Sequence, residues 1–366
     1  MKRVCHISTV HTPFSIRIFH KQLKSLNAAG YDVSFIVPNA NNEKKDGIRI
    51  IALPKAKNRI HRTLWLTFKA FYLGLSQKAD VYHFHDLELI PIGVILKFLK
   101  NKVIYDAHED MPRQMLSKKY AAKFLPEKIS WVIEKVENFA AKRFDAVVAA
   151  TPFIRDRFLR LGCNSVDINN FPILSEVDQP DTGWFNKERA VCYVGGIGDI
   201  RGIFEMVEAI GKTNAKLLLA GQFSSSSERD RVIGMFGWAN VAELGQLTWM
   251  EVQQVLSRSI AGLVVLHPCR NYIDALPIKM FEYMAAGIPV IASNFPLWRE
   301  IIEGDKCGIC VDPLDSGAIA EAIQWIADHP GEAKRMGKNG QKAAKEKYNW
   351  KTEEKKLLTL YEGLYP

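Results

Sequence analysis

Short apolar runs alternate along this chain with longer stretches whose apolar residues recur every three to four positions. In the first half the short runs cover residues 3–8, 31–37, 47–53, 80–84, 102–105, 146–150 and 165–169. Each is rich in β-branched or aromatic residues and reads as a strand. Helical stretches fall between them: one stops at Gly30, and others span 127–142 and 152–161. Residues 39–46 read as a polar loop. Strand–helix alternation of this kind predicts crossover connections and a parallel sheet. After Asn169-Asn170-Phe171-Pro172, a stretch rich in Pro, Asp and Gly (173–186) reads as a linker. The alternation then restarts, with strands at 190–194, 216–220, 241–245, 261–266 and 290–292. Helices are predicted at 203–210, 295–302, 317–327, 330–347 and 350–364. The expected architecture is α/β, with two parallel-sheet domains at 1–172 and 188–349.

A length of 366 residues agrees with two domains, and 48% apolar with 24% charged residues is ordinary for a globular protein. No apolar run reaches the roughly 18 residues that span a bilayer. The opening MKRVCHISTV is too short and polar for a signal peptide, so a cytoplasmic protein is expected. Six scattered cysteines include one lone Cys307-Gly308-Ile309-Cys310, which reads as small residues flanking a buried strand. The net charge of +9 is uneven: residues 1–175 carry +13 and residues 176–366 carry −4. A basic half suits nucleic acid, an anionic membrane or an acidic substrate. No nucleic-acid module is present, which favours the membrane. Residues 54–74 set Lys55, Lys57, Arg59, Arg62 and Lys69 among Ile60, Leu64, Trp65, Phe68, Phe71 and Tyr72. That is a basic amphipathic helix able to lie in a membrane interface. The alternative is a domain helix packing its apolar stripe on the sheet. The irregular basic stretch 111–128 is a second candidate contact, or a flap.

Candidate chemistry concentrates at predicted strand ends. Residues 267–294 read HPCRNYIDALPIKMFEYMAAGIPVIASN. Pro277 suits a first helical turn and Gly287 a C-cap, so a short helix stands between a polar loop and a buried strand. Its start offers unpaired N–H groups and a partial positive charge to an anion. Lys279 and Glu282 share one face of it. A cation for phosphates beside a carboxylate for ribose hydroxyls suits a nucleotide diphosphate. Upstream, strand 190–194 runs into Gly195-Gly196-Ile197-Gly198-Asp199-Ile200-Arg201-Gly202, where glycines let the backbone approach phosphate. The third glycine falls late for a dinucleotide fingerprint, which argues against a nicotinamide oxidoreductase. In the first half, His11 and Arg17 follow the first strand, His83-Phe84-His85-Asp86 closes another, and Asp106-Ala107-His108-Glu109 a third. His83 and His85 point to one face, but a metal site would need more ligands than the sequence identifies. No metal is expected.

Together these stretches resemble the retaining glycosyltransferases of family 4, which have the GT-B fold, and their bacterial surface-polysaccharide branch. Residues 272–294 resemble the donor motif, in which two glutamates separated by seven residues precede a short helix, Gly, Pro and a hydrophobic strand. Glu282 is the second acid, and Asp274 stands at the first. The loop 195–202 resembles the family's Gly-Arg…Lys-Gly, with Gly196 in place of the Arg and Arg201 of the Lys. Residues 106–109 resemble Asp-x-His-Glu, and 11–19 a His…Asp-x-Arg-Ile-Phe segment with Ser15 in place of the Asp. The resemblance implies two Rossmann-like domains facing across a cleft, with the C-terminal helix 350–366 crossing back to the first near Tyr348-Asn349-Trp350.

It further implies transfer of a sugar from a nucleotide-diphosphate sugar to an acceptor hydroxyl, with configuration retained and without cofactor or metal. Gly195, Gly196, Arg201, Asp274, Ala275, Leu276, Lys279 and Glu282 would hold the donor. His108, Asp274, Arg201 and Lys279 would act at the reacting centre. His11, Arg17, His85 and Asp86 would serve the acceptor side. With the basic first half, the implied acceptor is a lipid-linked oligosaccharide in capsule or O-antigen synthesis, met at the inner face of the plasma membrane by a peripherally bound enzyme. The alternatives are a GT-B sugar-nucleotide 2-epimerase and a non-catalytic nucleotide-sugar or membrane-binding scaffold.

Overall fold

The computed structural model describes residues 2–110, 125–177, 184 and 187–365. The chain divides into two compact units: Met1–Asn170 with Lys351–Pro366, and Phe171–Trp350. The expected linker therefore contributes to the second unit. Phe171 packs edge-on to Phe281 at 4.6 Å, and Leu174–Val177 forms a helical turn beside it.

The first unit is an eight-stranded sheet. Its strands are β1 (Arg3–Ile7), β2 (Asp32–Pro38), β3 (Glu43–Lys45), β4 (Ile48–Leu53), β5 (Val81–Phe84), β6 (Lys102–Ala107), β7 (Ala146–Ala149) and β8 (Ser165–Asp167), in the order β3-β4-β2-β1-β5-β6-β7-β8. Every pairing is parallel except β3–β4. β1 to β7 other than β3 are mostly buried, as a sheet covered on both faces requires. Chain order reverses at β1, between β2 and β5, which opens a crevice at the carboxyl ends of these strands. β3 lies where the sequence reads as a loop. Its Glu43, Lys44 and Lys45 are all exposed, so no apolar pattern marks it, and the charges guard an open edge.

Two helical findings differ from the sequence expectations. The helix Ile90–Phe98 has an almost uniformly apolar sequence and so no helical periodicity to read. The helix at Arg59–His61, Arg62–Leu66 and Thr67–Ser76 turns Leu66, Thr67, Ala70 and Gly74 inward. Its Ile60, Leu64, Phe68 and Tyr72 are each about two-thirds exposed or more, and Trp65 is half exposed. Of the apolar stripe read from the sequence, only Phe71 packs against the core of the first unit; the other residues face solvent. Of the basic stretch 111–128, residues 111–124 lie outside the described residues; the helix Leu125–Ala141 follows.

The helix Trp350–Gly363 belongs to the first unit. Glu353 accepts from the Asn169 backbone N–H at 2.7 Å, Lys356 bonds Asp167 at 3.0 Å, and Tyr361 is fully buried.

The second unit is a six-stranded, wholly parallel sheet: β9 (Ala190–Val194), β10 (Lys216–Ala220), β11 (Val241–Gly245), β12 (Ala261–Val264), β13 (Val290–Ser293) and β14 (Gly308–Val311), in the order β11-β10-β9-β12-β13-β14. The switch point lies between β9 and β12, where the loops after both strands meet. The helices Ser226–Ile233 and Trp249–Arg258 complete crossovers that the sequence reading left undefined; Thr248 and Glu251 form a capping box at the second.

Candidate functional site

Two constellations stand at strand carboxyl ends, one in each unit. The second unit's is built on the loop after β9 and the helix Ile278–Ala285. Gly195 has φ 130°, and a side chain there would stand 3.0 Å from Lys279 Nζ. A side chain at Gly196 would collide with the Arg201 guanidinium, which donates to the Gly196 carbonyl at 2.9 Å. The Tyr193 hydroxyl donates to the same carbonyl at 2.7 Å. Two cations therefore border one turn of glycine backbone, and glycine at 195 and 196 is what lets them approach.

Tyr283 aligns the helix with the loop. Its ring packs on Gly262 of β12, and its hydroxyl accepts from the Val194 N–H at 3.0 Å, at the end of β9. The buried Trp298 donates through Nε1 to the Ala275 carbonyl at 2.7 Å, pinning the loop that carries Asp274, Ala275 and Leu276. These three residues, with Glu282, are half-buried. Pro277 sits one place earlier than expected, as the helix N-cap, and no side chain caps the first turn.

Lys279 is electrostatically uncomfortable. Its Nζ is inaccessible to solvent and has no hydrogen-bond partner, although the residue as a whole is half-buried. It rests 3.6 Å over the Tyr193 ring. Burial, followed by repulsion from Arg201, pushes its pKa down to about 7, with Glu282 pulling the other way. Lys279 and Arg201 thus stand close together at the start of a helix whose first turn has no side-chain cap.

The first unit's constellation is a cluster of imidazoles around one carboxylate. β1 supplies His6, β5 supplies His83, the turn after β5 supplies His85, and the end of β6 supplies Asp106 and His108. Asp106 is fully buried; Arg17 donates to its Oδ1 at 2.8 Å and Gln22 to its Oδ2 at 2.7 Å. Burial alone would raise the Asp106 pKa, but the charges of Arg17 and His108 and hydrogen bonds from His108 and His85 hold it well below the usual carboxylate range. His85 Nδ1 and His108 Nε2 stand 3.3 and 3.4 Å from Asp106 Oδ2. Burial, outweighing the pull of Asp106, lowers the pKa values of His6, His83 and His85; that of His83 falls to about 3. His108 is 17% exposed and His11 31%, with their ring centroids 4.7 Å apart.

Of the expected acceptor-side set, His11 is partly exposed, as is His108 of the expected reacting centre, whereas Arg17, His85 and Asp86 are buried. Arg17 joins Asp106 to the Ile168 carbonyl at 2.6 Å, and Asp86 accepts from Ser8 at 2.9 Å and from the Thr9 N–H at 2.6 Å. His6 and Tyr361 were not singled out from the sequence. The signal for His6 was period-two alternation in β1, which places it beside His83. Tyr361 comes from the other end of the chain, and nothing local marks it.

Among the described residues two groups bring possible metal-ligand atoms within 4.8 Å of one another: His6, His83 and His85, and His85, Asp106 and His108. His6 Nδ1 and His85 Nε2 are 2.8 Å apart, whereas two nitrogens on one zinc stand about 3.3 Å apart.

The first unit matches the family described as Glycosyltransferase Family 4 over residues 17–169, and the second that described as Glycosyl transferases group 1 over 175–343. Glycogen synthase of Mycobacterium tuberculosis is 20% identical over 400 residues, covering 96% of this chain and 92% of that protein. The D-rhamnosyltransferase WbpZ of Pseudomonas aeruginosa is 24% identical over 154 residues, 42% of this chain and 40% of its own length. Among solved structures, sucrose-phosphate synthase from Thermosynechococcus elongatus superposes with a TM-score of 0.78 at 21% identity, covering 100% of this chain and 99% of that one. Anabaena HepE in complex with UDP-glucose gives 0.75 at 14% identity, covering 99% and 100%. With one family match on each unit, and two parallel-sheet units that share the fold of these neighbours, the chain belongs to the GT-B glycosyltransferases of family 4.

Proposed function

We propose that the protein transfers a sugar from a nucleotide-diphosphate sugar to an acceptor hydroxyl with retention of configuration, and that the acceptor is a lipid-linked oligosaccharide of a surface polysaccharide. The observation that carries the donor half is Lys279: a buried amino group with no hydrogen-bond partner, resting on the Tyr193 ring beside Arg201 and a helix start without a side-chain cap, is placed to meet an anion. A diphosphate there would draw on Lys279, Arg201 and the helix N–H groups. Glu282 would take the ribose hydroxyls, and Asp274 the sugar. In the reaction the bond from the anomeric carbon to the diphosphate oxygen breaks, and a bond to the acceptor oxygen forms on the same face. The acceptor proton passes to the departing phosphate oxygen. Fixed cations supply the positive charge that this leaving group needs, and such preorganised groups are each worth about 3 kcal/mol.

A thermal-shift panel of UDP, GDP, ADP and CMP, each with EDTA and with magnesium, tests the donor site. A ligand that binds only the folded state raises Tm by mass action. One nucleoside diphosphate should raise Tm selectively and equally in EDTA; HepE, solved with UDP and with UDP-glucose, makes UDP the first candidate. No shift with any diphosphate would remove the donor site. Turnover by the same protein separates a transferase from a scaffold, and its dependence on an acceptor separates it from an epimerase.

The membrane half of the proposal rests on the first unit's helices. The helix Thr67–Ser76 neighbours Ile90–Phe98, which neighbours Leu125–Ala141. All three expose large apolar residues, among them Phe68, Phe98, Trp131 and Phe139. Cations stack on several of these rings: Lys69 lies 5.1 Å from the Trp65 ring centroid, Lys135 5.6 Å from that of Trp131, and Arg143 3.4 Å from that of Phe139. Basic charge beside exposed aromatics suits an anionic bilayer surface. Among the described residues no helix is long and apolar enough to cross a membrane. Co-sedimentation should show binding to phosphatidylglycerol vesicles and not to phosphatidylcholine. The double substitution Trp65→Ser with Phe68→Ser should weaken it about tenfold. Equal binding to both lipids, or no effect of the substitution, counts against this surface.

A further inference from the structure

Three side chains of the first unit bring metal-ligand atoms to one point. β5 and β6 are parallel neighbours, with Phe84 opposite Tyr105. His85 follows β5 directly, Asp106 stands near the end of β6, and His108 comes just after it. His85 Nδ1 lies 3.1 Å from His108 Nε2 and 3.3 Å from Asp106 Oδ2. His108 Nε2 lies 3.4 Å from that same oxygen. The three edges of this triangle are nearly equal. Ligand atoms about 2.0–2.1 Å from a tetrahedral ion stand about 3.3–3.4 Å apart, against about 2.9 Å around an octahedral one.

Hydrogen bonds within the same cluster are shorter. His6 Nδ1 and His85 Nε2 stand 2.8 Å apart, as do the Tyr361 hydroxyl and His83 Nδ1. Arg17 and Gln22 reach Asp106 at 2.8 and 2.7 Å. A proton shared among three acceptor atoms draws one pair together and does not hold all three at one spacing. The spacing opens where the two imidazoles and the carboxylate converge, and it opens to the tetrahedral edge. The surroundings are those of a ligand set. His85 and Asp106 are buried, His6 meets the other ring nitrogen of His85, and Arg17 and Gln22 fix the carboxylate. Such outer partners orient a ligand and fix its lone pair.

We propose that His85 Nδ1, Asp106 Oδ2 and His108 Nε2 form a binding site for a divalent transition-metal ion, zinc by ligand type and tetrahedral spacing, with a fourth position for an anionic oxygen. His108 is the partly exposed member, and the His11 ring stands 4.7 Å from its ring, so the fourth ligand enters on their side. Charge decides what that ligand is. Arg17 already neutralises Asp106, and two neutral imidazoles add nothing, so the charge of the ion stays uncompensated. Hydroxide, or a carboxylate or phosphate oxygen of a ligand, supplies the missing negative charge. The site uses residues of the first unit alone and does not rest on the transferase reading. The diphosphate site of the second unit keeps its own cations, Lys279 and Arg201.

The test is equilibrium dialysis of untagged, EDTA-stripped protein against Zn2+ at neutral pH, followed by metal analysis, with Co2+ as an optical probe. One Zn2+ should bind per chain, and Co2+ should give the intense visible absorption of a four-coordinate ion. His108→Ala should weaken binding by more than the roughly 10–100-fold that loss of an outer partner costs. His11→Ala, which removes a neighbour and no ligand, should bind as the wild type does. Acetate should shift the Co2+ absorption while the ion stays bound. A wild-type protein that binds no Zn2+ would overturn the site without any variant having to fold, and so would equal binding by His108→Ala. The weak absorption of six-coordinate Co2+ would overturn the tetrahedral geometry, and a spectrum indifferent to acetate would overturn the anionic fourth ligand. One bound Zn2+ in a protein that transfers no sugar would instead refute the proposed function and leave this site standing.

Discussion

Replacing Lys279 with Met should raise the melting temperature of the free protein while lowering kcat by about two to three orders of magnitude. The two effects have one cause. In the free protein the Lys279 pKa is pushed down to about 7 by burial and then by Arg201. In the unfolded chain a lysine titrates near 10.4. Between these values the unfolded state binds more protons, so stability rises with pH from about 7 to about 10.4. Below pH 7 the buried charge is present in full and destabilises the fold by at most about 5 kcal/mol. Methionine fills a similar volume without charge, so it should restore part of that, about 1–3 kcal/mol at pH 6 and little at pH 10. Urea unfolding at both pH values checks the sign. Diphosphate binding should show the same linkage. An anion raises the Lys279 pKa, so binding should take up a proton above pH 7, and affinity should decline as pH rises from about 7 to 9. Calorimetry in buffers of different ionisation enthalpy measures that proton directly. A destabilised Lys279→Met protein, or binding without proton uptake, would contradict a buried unpaired ammonium.

What made Lys279 and Arg201 legible is that their geometry is local. Three-residue spacing on one helix places Lys279 beside Glu282, and a glycine run after a strand leaves room for the backbone and for Arg201. Strand positions were legible for the same reason, except β3, which has no apolar face. The first unit's constellation was only half legible. Motifs marked His108, His85 and Asp86, but burial depends on what covers them. The helices after β1 and at the chain's end turn Arg17, His85 and Asp86 into an inner layer. Tyr361 reaches His83 across 278 positions of sequence, and no periodicity carries that information. The exposed stripe at 60–72 failed in the other direction. An amphipathic pattern fixes which residues share a face, not whether that face meets the sheet or solvent, and here small residues, Ala70 and Gly74, took the inward side.

That inner layer also predicts a protein that cannot tolerate mild acid. His6, His83 and His85 are fully or almost fully buried, and burial depresses their pKa values before any charge acts. The groups facing them are Asp106, Arg17, His108, His11 and Tyr361. Asp106 alone pulls toward protonation, and Arg17 already pairs with it. The unfolded chain protonates each histidine near pH 6.5. Below that pH the unfolded state binds more protons than the folded one, so stability falls as pH falls. At pH 5 each buried neutral histidine removes about 2 kcal/mol, and three together about 6 kcal/mol, against a net stability of about 5–15 kcal/mol. Asp106, held below its unfolded value near 3.9, adds loss of the same sign only below about pH 4. The expected result is a urea-unfolding free energy that is level from pH 8 to 7 and then falls, approaching a slope of three protons near pH 5. His83→Gln, which cannot be protonated, should lower that slope by about one proton even if it lowers stability at pH 7. A free energy that stays level from pH 7 to 5 would mean that the three imidazoles are solvated or already charged.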